Sequence, residues 1–308
     1  MIAHNFIGCD VAKAALDLYD PSTGKLHRLA NRDEAIAGFV AGLEPTRDFV
    51  VLEATGHHDR LLRHRLAAAG IGFARLNPVM VRRFAEARGR LAKTDRLDAR
   101  ILSDFGKTLQ PAADRPPCPQ RERLCALARR RDQLVELRAR EWRHLSDTFD
   151  PAIRADIEAA VKDLGRRIEA VEAAIQKQIN ETGGMAERAR QVMSAPGVGA
   201  ITALILLAHM PELGTLSPKQ AASLAGLAPI NRDSGQRRGK RSIRGGRPRV
   251  RRALYMAVLG AIKKAPRFRT FYEALAARSG SRKLAIIAVA RKLITILNAM
   301  IRDNKQYG

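Results

Sequence analysis

A chain of 308 residues, 46% of them hydrophobic, is long enough for about two domains that each bury a core, and too apolar to stay disordered. Its net charge of +24 is unevenly placed: residues 231–308 carry 21 Lys and Arg against 3 Asp and Glu, the footprint of a folded surface that meets a polyanion, nucleic acid above all. No run approaches the roughly 18 to 20 uninterrupted apolar residues of a membrane span, and "MIAHNFIGCDVAK" lacks the basic and apolar regions of a leader, so the expectation is a cytoplasmic protein with no membrane partner.

Residues 5–30 alternate and turn, with "PSTG" between "NFIGCDVAKAALDLYD" and "KLHRLAN", and predict a hairpin or meander of strands. A helical pattern follows from about Asp33 to Leu43, then a buried strand "DFVVLEATG", a helix from about His58 to Ala69 and a short strand "IGFARLN". A meander followed by strands alternating with helices gives an α/β layer fold with a mixed sheet. The helix that opens in "RLAKTDRLDARILSDFG" closes it.

From Pro119 to Asn180 the chain turns helical, and Ile157, Val161, Leu164, Ile168, Val171 and Ile175 mark a heptad seam. That spacing fits a coiled-coil-like segment and a plain amphipathic helix alike. After "TGG" comes "APGVG", where Gly197 and Gly199 allow a tight turn with N–H groups exposed at a helix start. Such a turn can hold a phosphate, or simply join two helices in a helix-hairpin-helix-like corner. "SPKQAASLAGL" is a helix capped by Ser217 with Pro218 in its first position. The basic loop "NRDSGQRRGKRSIRGGRPRVRR" follows, and two or three helices complete a mainly α end. Cys9, Cys118 and Cys125 form no CxxC pair, so they indicate neither a disulfide framework nor a zinc site and read as reduced packing residues. Trp142 and the scattered Phe residues show no interleaved stacking pattern and read as core or interface.

The chemistry gathers around acids. Asp10 ends the apolar strand "FIGCD" and Glu53 ends "VVLE". Asp95 and Asp98 share a helix face with Ala99, Ile101 and Leu102, where no cation lies within one turn on the same face. Taken singly, each acid reads as an ordinary strand-end or helix-surface charge. Together they form a cluster that calls for hard divalent cations, Mg²⁺ or Mn²⁺, and two such ions about 4 Å apart activate a nucleophile and stabilise a leaving oxygen in phosphodiester displacement.

The motifs "IGCDVAKAALDLYD", "VLEATGHHDRLL" and "KTDRLDARIL", in this order, resemble the RuvC-like, ribonuclease-H-type domain of the DEDD transposases of the IS-one-ten and IS-eleven-eleven insertion-sequence family, relatives of the Piv-type DNA invertases. "APGVG" and "LAGLAPINRDSGQRRGKRSIRGGRPRVRRALYMAV" resemble the same family's C-terminal transposase domain. The resemblance implies a RuvC-like catalytic domain over 1–115, a helical linker or oligomerisation segment over 116–184 and a transposase domain over 185–308. It implies that Asp10, Glu53, Asp95 and Asp98 are the metal-binding tetrad, and that Ser234 is a serine that becomes covalently joined to DNA. It also implies guidance by a structured, element-encoded bridge RNA, and an active site completed between subunits of a dimer or tetramer.

Read on the residues alone, Ser234 in "RDSGQ" has a competitor in Ser242 of "KRSIRGG", and a Ser-Gly pair is most often a turn. Arg237, Arg238, Lys240, Arg241 and Arg244 are available to stabilise a pentacovalent phosphate or to meet backbone phosphates, and Gly245 and Gly246 would let the loop approach DNA closely. His57 and His58, close behind Glu53, could be metal ligands or a general base on the residues alone; the resemblance, with the family's aromatic-rich stretch after the glutamate, implies that they are substrate-adjacent or structural. Two other classes stay open: a RuvC-like junction resolvase or nuclease that uses metal-activated water and needs no Ser234, and a non-catalytic basic nucleic-acid-binding protein.

Overall fold

A computed structural model of the chain describes residues 5–54, 56–89, 95–230, 239 and 241–308, without the side chains of residues 95–97. The chain divides into two compact units, Met1–Cys118 and Pro119–Gly308.

The first unit opens with β1 (Asn5–Val11), β2 (Ala15–Asp20) and β3 (Lys25–Ala30), then α1 (Asp33–Ala41), β4 (Asp48–Glu53), α2 (Arg60–Ala68), β5 (Gly72–Leu76), α3 (Pro78–Ala87) and α4 (Asp95–Leu109). The strands form one sheet in the order β3-β2-β1-β4-β5. β1–β2 and β2–β3 pair antiparallel, whereas β1–β4 and β4–β5 pair parallel. This mixed five-stranded sheet with helices is consistent with a ribonuclease-H-like α/β domain. β1 and β4 are apolar nearly throughout because both faces of the sheet are covered. Ile7, Cys9, Val50 and Leu52 pack against Ile36, Val40, Leu62 and Leu66 of α1 and α2. Phe6, Phe49 and Val51 pack on the other face against Val81 of α3 and Ile101, Leu102 and Phe105 of α4.

Helix α3 has no counterpart in the sequence expectations. Its signal was local: Asn77 accepts from the Val79 N–H at 2.9 Å and Pro78 fixes the first turn.

The approach of α4 to the sheet is set by glycine. A Cβ on Gly8 would lie 1.8 Å from the Ala99 carbonyl oxygen and 2.7 Å from the Ser103 nitrogen, and one on Gly106 would meet Val51 at 2.7 Å and Phe6 at 2.8 Å. Ser103 Oγ donates to the Phe6 carbonyl at 2.7 Å. Gly8→Ala is therefore expected to lower stability by about 2 to 4 kcal/mol, since backbone on both sides must part. A thermal melt of the purified variant checks this, and an unchanged midpoint would contradict the contact.

The second unit begins with α5 (Pro119–Asp147) and α6 (Pro151–Glu181), a long hairpin whose turn ends at Asp150, which caps α6 through the Ala152 and Ile153 N–H groups. Of the heptad seam, Ile157, Ile168 and Ile175 are buried, and α5 is their partner within the hairpin. α7 (Met185–Met193), α8 (Ala200–His209), α9 (Pro218–Leu224), β6 (Pro229–Ile230), β7 (Ser242–Ile243), α10 (Pro248–Lys264), α11 (Pro266–Ser279) and α12 (Arg282–Arg302) follow. The hairpin, read from sequence as a segment of its own, shares a core with α7 and α8: Leu124, Ala128, Ile175 and Ile179 touch Met185, Ala189, Leu204 and Leu207. Ser217 caps α9 as expected, in a reciprocal box with Gln220. Among the described residues one helix, α12, is long and apolar enough to cross a membrane by length and composition, and Val289, Leu293, Ile294 and Leu297 bury its apolar side in the core of α8 to α12.

Candidate functional site

Alternation along β1 and β4 decides where the first two acids go. Phe6 and Gly8 face α4, so Asp10, two residues on, belongs to that face; Phe49 and Val51 face it too, and so does Glu53. The parallel register pairs Cys9 with Leu52. Asp10 and Glu53 are therefore the next residues on neighbouring strands, at the ends where the apolar runs stop.

The helix runs antiparallel to β1, because Ser103 meets Phe6 while Ala99 meets Gly8. Asp10 lies about 6.6 Å beyond Gly8 along the strand, and Asp95 lies about 6 Å before Ala99 along the helix. The backbone thus carries Asp95 to the level of Asp10. Asp98, half-buried, adjoins Ala99 at the edge of the packed stripe. The side chain of Asp95 lies outside the described residues.

The hairpin adds an acid that sequence reasoning did not single out. Asp17 stands opposite Asp10 in the β1–β2 register, on the same face, buried, with Arg28 of β3 at 3.7 Å. Its signal was the tight turn at 12–14, where the Ala12 N–H donates to the Ala15 carbonyl at 2.9 Å and fixes that register.

Carboxylate oxygens are the hard donors that Mg²⁺ or Mn²⁺ takes, so the residue types fit a divalent cation. Among the described residues no group of three or more His, Cys, Asp or Glu stands close enough to hold one. Cys9 lies on the opposite face, fully buried, and burial followed by the charge of Asp10 pushes its thiol far above the ordinary range. It is a packing residue, as expected, and no nucleophile.

The turn after Glu53 is held tightly. The Ala54 N–H donates to the Leu76 carbonyl at 2.9 Å, and Asn31 Nδ2 bridges the Ala12 and His58 carbonyls at 2.9 and 3.0 Å. The His57 and His58 rings lie beside it near the surface, centroids 4.4 Å apart and tilted by 41°. Asp59, fully buried, pairs with Arg75 and with Arg63 at 3.3 Å.

In the second unit, Ser234, Arg237, Arg238 and Lys240 lie outside the described residues. The segment that carries them leaves from β6 and returns through β7, which pair antiparallel. Its base is narrow: a Cβ on Gly246 would lie 2.2 Å from the Gly226 nitrogen, and Arg251 Nη1 donates to the Gly226 and Gly245 carbonyls at 3.2 and 2.8 Å. Gly246 thus serves a backbone contact inside the fold. Arg247 forms a bidentate pair with Glu212 at 2.7 Å, and Arg249 reaches Asp132 at 3.1 Å and His209 at 3.4 Å. Burial and the neighbouring guanidinium of Arg249 push His209 down to about 4, so it is neutral near pH 7. Arg241 and Arg244 are exposed and have no ion-pair partner among the described residues. Arg252, the last cation of the loop sequence and already within α10, is exposed as well.

Gly197 has φ +79°, and a Cβ there would sit 2.0 Å from the Ala257 carbonyl oxygen. Its reason is the close passage of the α7–α8 turn over α10, at Gly260. Gly199 is exposed at the N-cap of α8 with open space around it.

Comparison with known proteins adds the following. Residues 7–152 match a model described as a transposase, of the DEDD type found in IS110. Residues 189–273 match the model of the transposase IS116/IS110/IS902 family. The pilin gene-inverting proteins of Moraxella bovis and Moraxella lacunata are each 29% identical to the chain over 266 residues, covering 84% of it and 81% of the relative. An uncharacterized 43.6 kDa protein of insertion element IS110 from Streptomyces coelicolor is 35% identical over 137 residues, 44% of this chain and 34% of that protein.

Proposed function

Because the chain belongs to the DEDD transposase family of the insertion elements IS116, IS110 and IS902, we propose that it is the recombinase that cuts and rejoins DNA to move such an element, using a divalent cation and a covalent phosphoserine. The observation that carries this reading is the convergence of Asp10, Glu53 and the helix of Asp98 on one sheet face.

Asp10, Glu53, Asp95 and Asp98 would hold Mg²⁺ or Mn²⁺, which supplies Lewis-acid stabilisation of phosphate charge. Ser234 Oγ attacks the phosphorus: an Oγ–P bond forms, the bond to one sugar oxygen breaks, the serine proton passes to solvent and the leaving oxygen gains a proton. The exchange is near-balanced in bond type, so the reverse attack by another sugar hydroxyl rejoins strands. Arg237, Arg238 and Lys240, with Arg241 and Arg244, stabilise the crowded phosphate or bind flanking backbone. A structured RNA from the element is the proposed guide for donor and target DNA, and the cytoplasm, where that DNA lies, is the proposed place of work. The α5–α6 hairpin is the proposed subunit joint, supported by Phe149 at 94%, Trp142 at 56% and Ile153 at 55% exposure around its tip.

The test is an incubation of protein, element-derived RNA, paired end-labelled DNA sites and Mg²⁺. Protein-linked DNA ends and joined recombinants, both lost in chelator, support the reading. Cleavage that gives only protein-free ends would make the chain a hydrolytic nuclease.

Replacing Arg241 and Arg244 together with Ala should lower the slope of log K against log salt for DNA by up to about two units, one per phosphate contact released. An unchanged slope in a filter-binding titration would take these two away from the backbone.

A further inference from the structure

A charged network behind the sheet is used neither by the acids nor by the serine. Asp59 has a fully buried carboxylate, and Arg75 and Arg63 close on it from two sides, Arg63 at 3.3 Å. Burying the Asp59 carboxylate costs desolvation that its attraction to two partly exposed guanidinium groups scarcely recovers, so stability alone does not account for the network. The placement of Arg75 accounts for what the charges add. Arg75 pairs with Leu52 in the β4–β5 register, one residue before Glu53. Like Phe73 it points to the α1–α2 face, whereas Glu53 points to the α4 face. From there its Nε donates to Asp59 and its Nη2 to the Gly56 carbonyl at 3.4 Å. One guanidinium therefore grips both the turn that leaves Glu53 and Asp59, the residue just before α2, from the side of the sheet away from the carboxylate. The strand beneath it is braced in turn: the Arg75 N–H donates to Asp114 Oδ2 at 3.1 Å, and the Asp114 N–H to the Phe73 carbonyl at 2.8 Å.

We propose that Arg75, with Asp59, is a positioning residue that fixes the direction of Glu53 for metal binding by clamping the turn at Gly56. The inference rests on the reading of Glu53 as a metal ligand. Lysine keeps the charge opposite Asp59 but cannot donate to two acceptors in the fixed fork of a guanidinium.

The experiment titrates Mn²⁺ into the full chain by calorimetry, for wild type, Arg75→Lys and Glu53→Gln, beside melting curves and cleavage rates at graded Mg²⁺. Folded Arg75→Lys is expected to bind Mn²⁺ about tenfold more weakly, the lower end of what groups supporting a ligand contribute, and to need a matching excess of Mg²⁺ for half-maximal cleavage. Should Arg75→Lys not fold, the neutral pair Asp59→Asn with Arg75→Gln carries the same expectation. A folded variant of either kind with wild-type Mn²⁺ affinity, while Glu53→Gln loses affinity, overturns the clamp alone. Wild-type affinity in Glu53→Gln overturns the ligand reading and the clamp with it.

Discussion

Asp98→Ala is expected to give a folded protein that cuts no DNA strand, with a rate at least about a thousandfold below wild type, or about 4 kcal/mol of lost transition-state stabilisation. The fold should survive because Asp98 borders the packed stripe of α4 without being part of it. Ala99, Ile101, Leu102 and Phe105 make that contact, and the approach is fixed at Gly8 and Gly106. Removing one of two acids three residues apart on a helix also relieves a like-charge pair, worth a few tenths of a kcal/mol. Asp10→Asn should behave alike, since Asp10 stands at the end of β1 on the same face. Single-turnover cleavage of labelled DNA, with a melting curve of each variant, checks both parts. A folded Asp98→Ala that cuts within tenfold of wild type would remove the residue from the chemistry.

Much of the first unit was legible because burial on two faces writes a long apolar strand and a turn ends it. "FIGCD" and "VVLE" predicted both the strands and the acids at their ends, and the register of β1 with β4 makes those acids neighbours. Asp17 was not legible, since facing Asp10 depends on hairpin register across the turn at 12–14 and not on any spacing along one strand. α3 escaped because its apolar run Val79-Met80-Val81 is not spaced as one helix face, two of the three facing solvent, and its cap, Asn77-Pro78, also reads as a plain turn. The glycines show the same limit. In sequence Gly197 allowed a phosphate-holding turn or a plain helix corner alike; what requires glycine there is the Ala257 carbonyl, 60 residues away and reached only by packing α7–α8 on α10.

The basic loop divides likewise. Arg247, Arg249 and Arg251 look no different in "RPRVRR" from Arg241 and Arg244 in "KRSIR". The first three are held by Glu212, Asp132 and the Gly226 and Gly245 carbonyls, while the other two face solvent. Charge content located the surface; long-range partners decided which charges remain on it.

Ser234→Ala is expected to abolish the protein–DNA adduct and every recombinant while leaving DNA and RNA binding at wild-type affinity. A methyl group cannot attack phosphorus, and no neighbouring hydroxyl in "RDSGQ" can take its place. Ser242 is the control, because it is fixed in β7 opposite Ile230, at the returning leg of the segment and eight positions from Ser234. Ser242→Ala should keep its adduct. The two variants separate two ways of breaking the same bond. If a serine is the nucleophile, the phosphodiester energy stays in the Oγ–P bond and rejoining needs no outside source; if water is, the ends are released and rejoining stops. Labelled DNA on a denaturing gel, with and without protease, distinguishes them. A protease-sensitive shift should appear for wild type and Ser242→Ala and be missing for Ser234→Ala. An adduct that persists in Ser234→Ala would place the nucleophile elsewhere, and free ends from the wild type would leave the acids acting as a hydrolytic site.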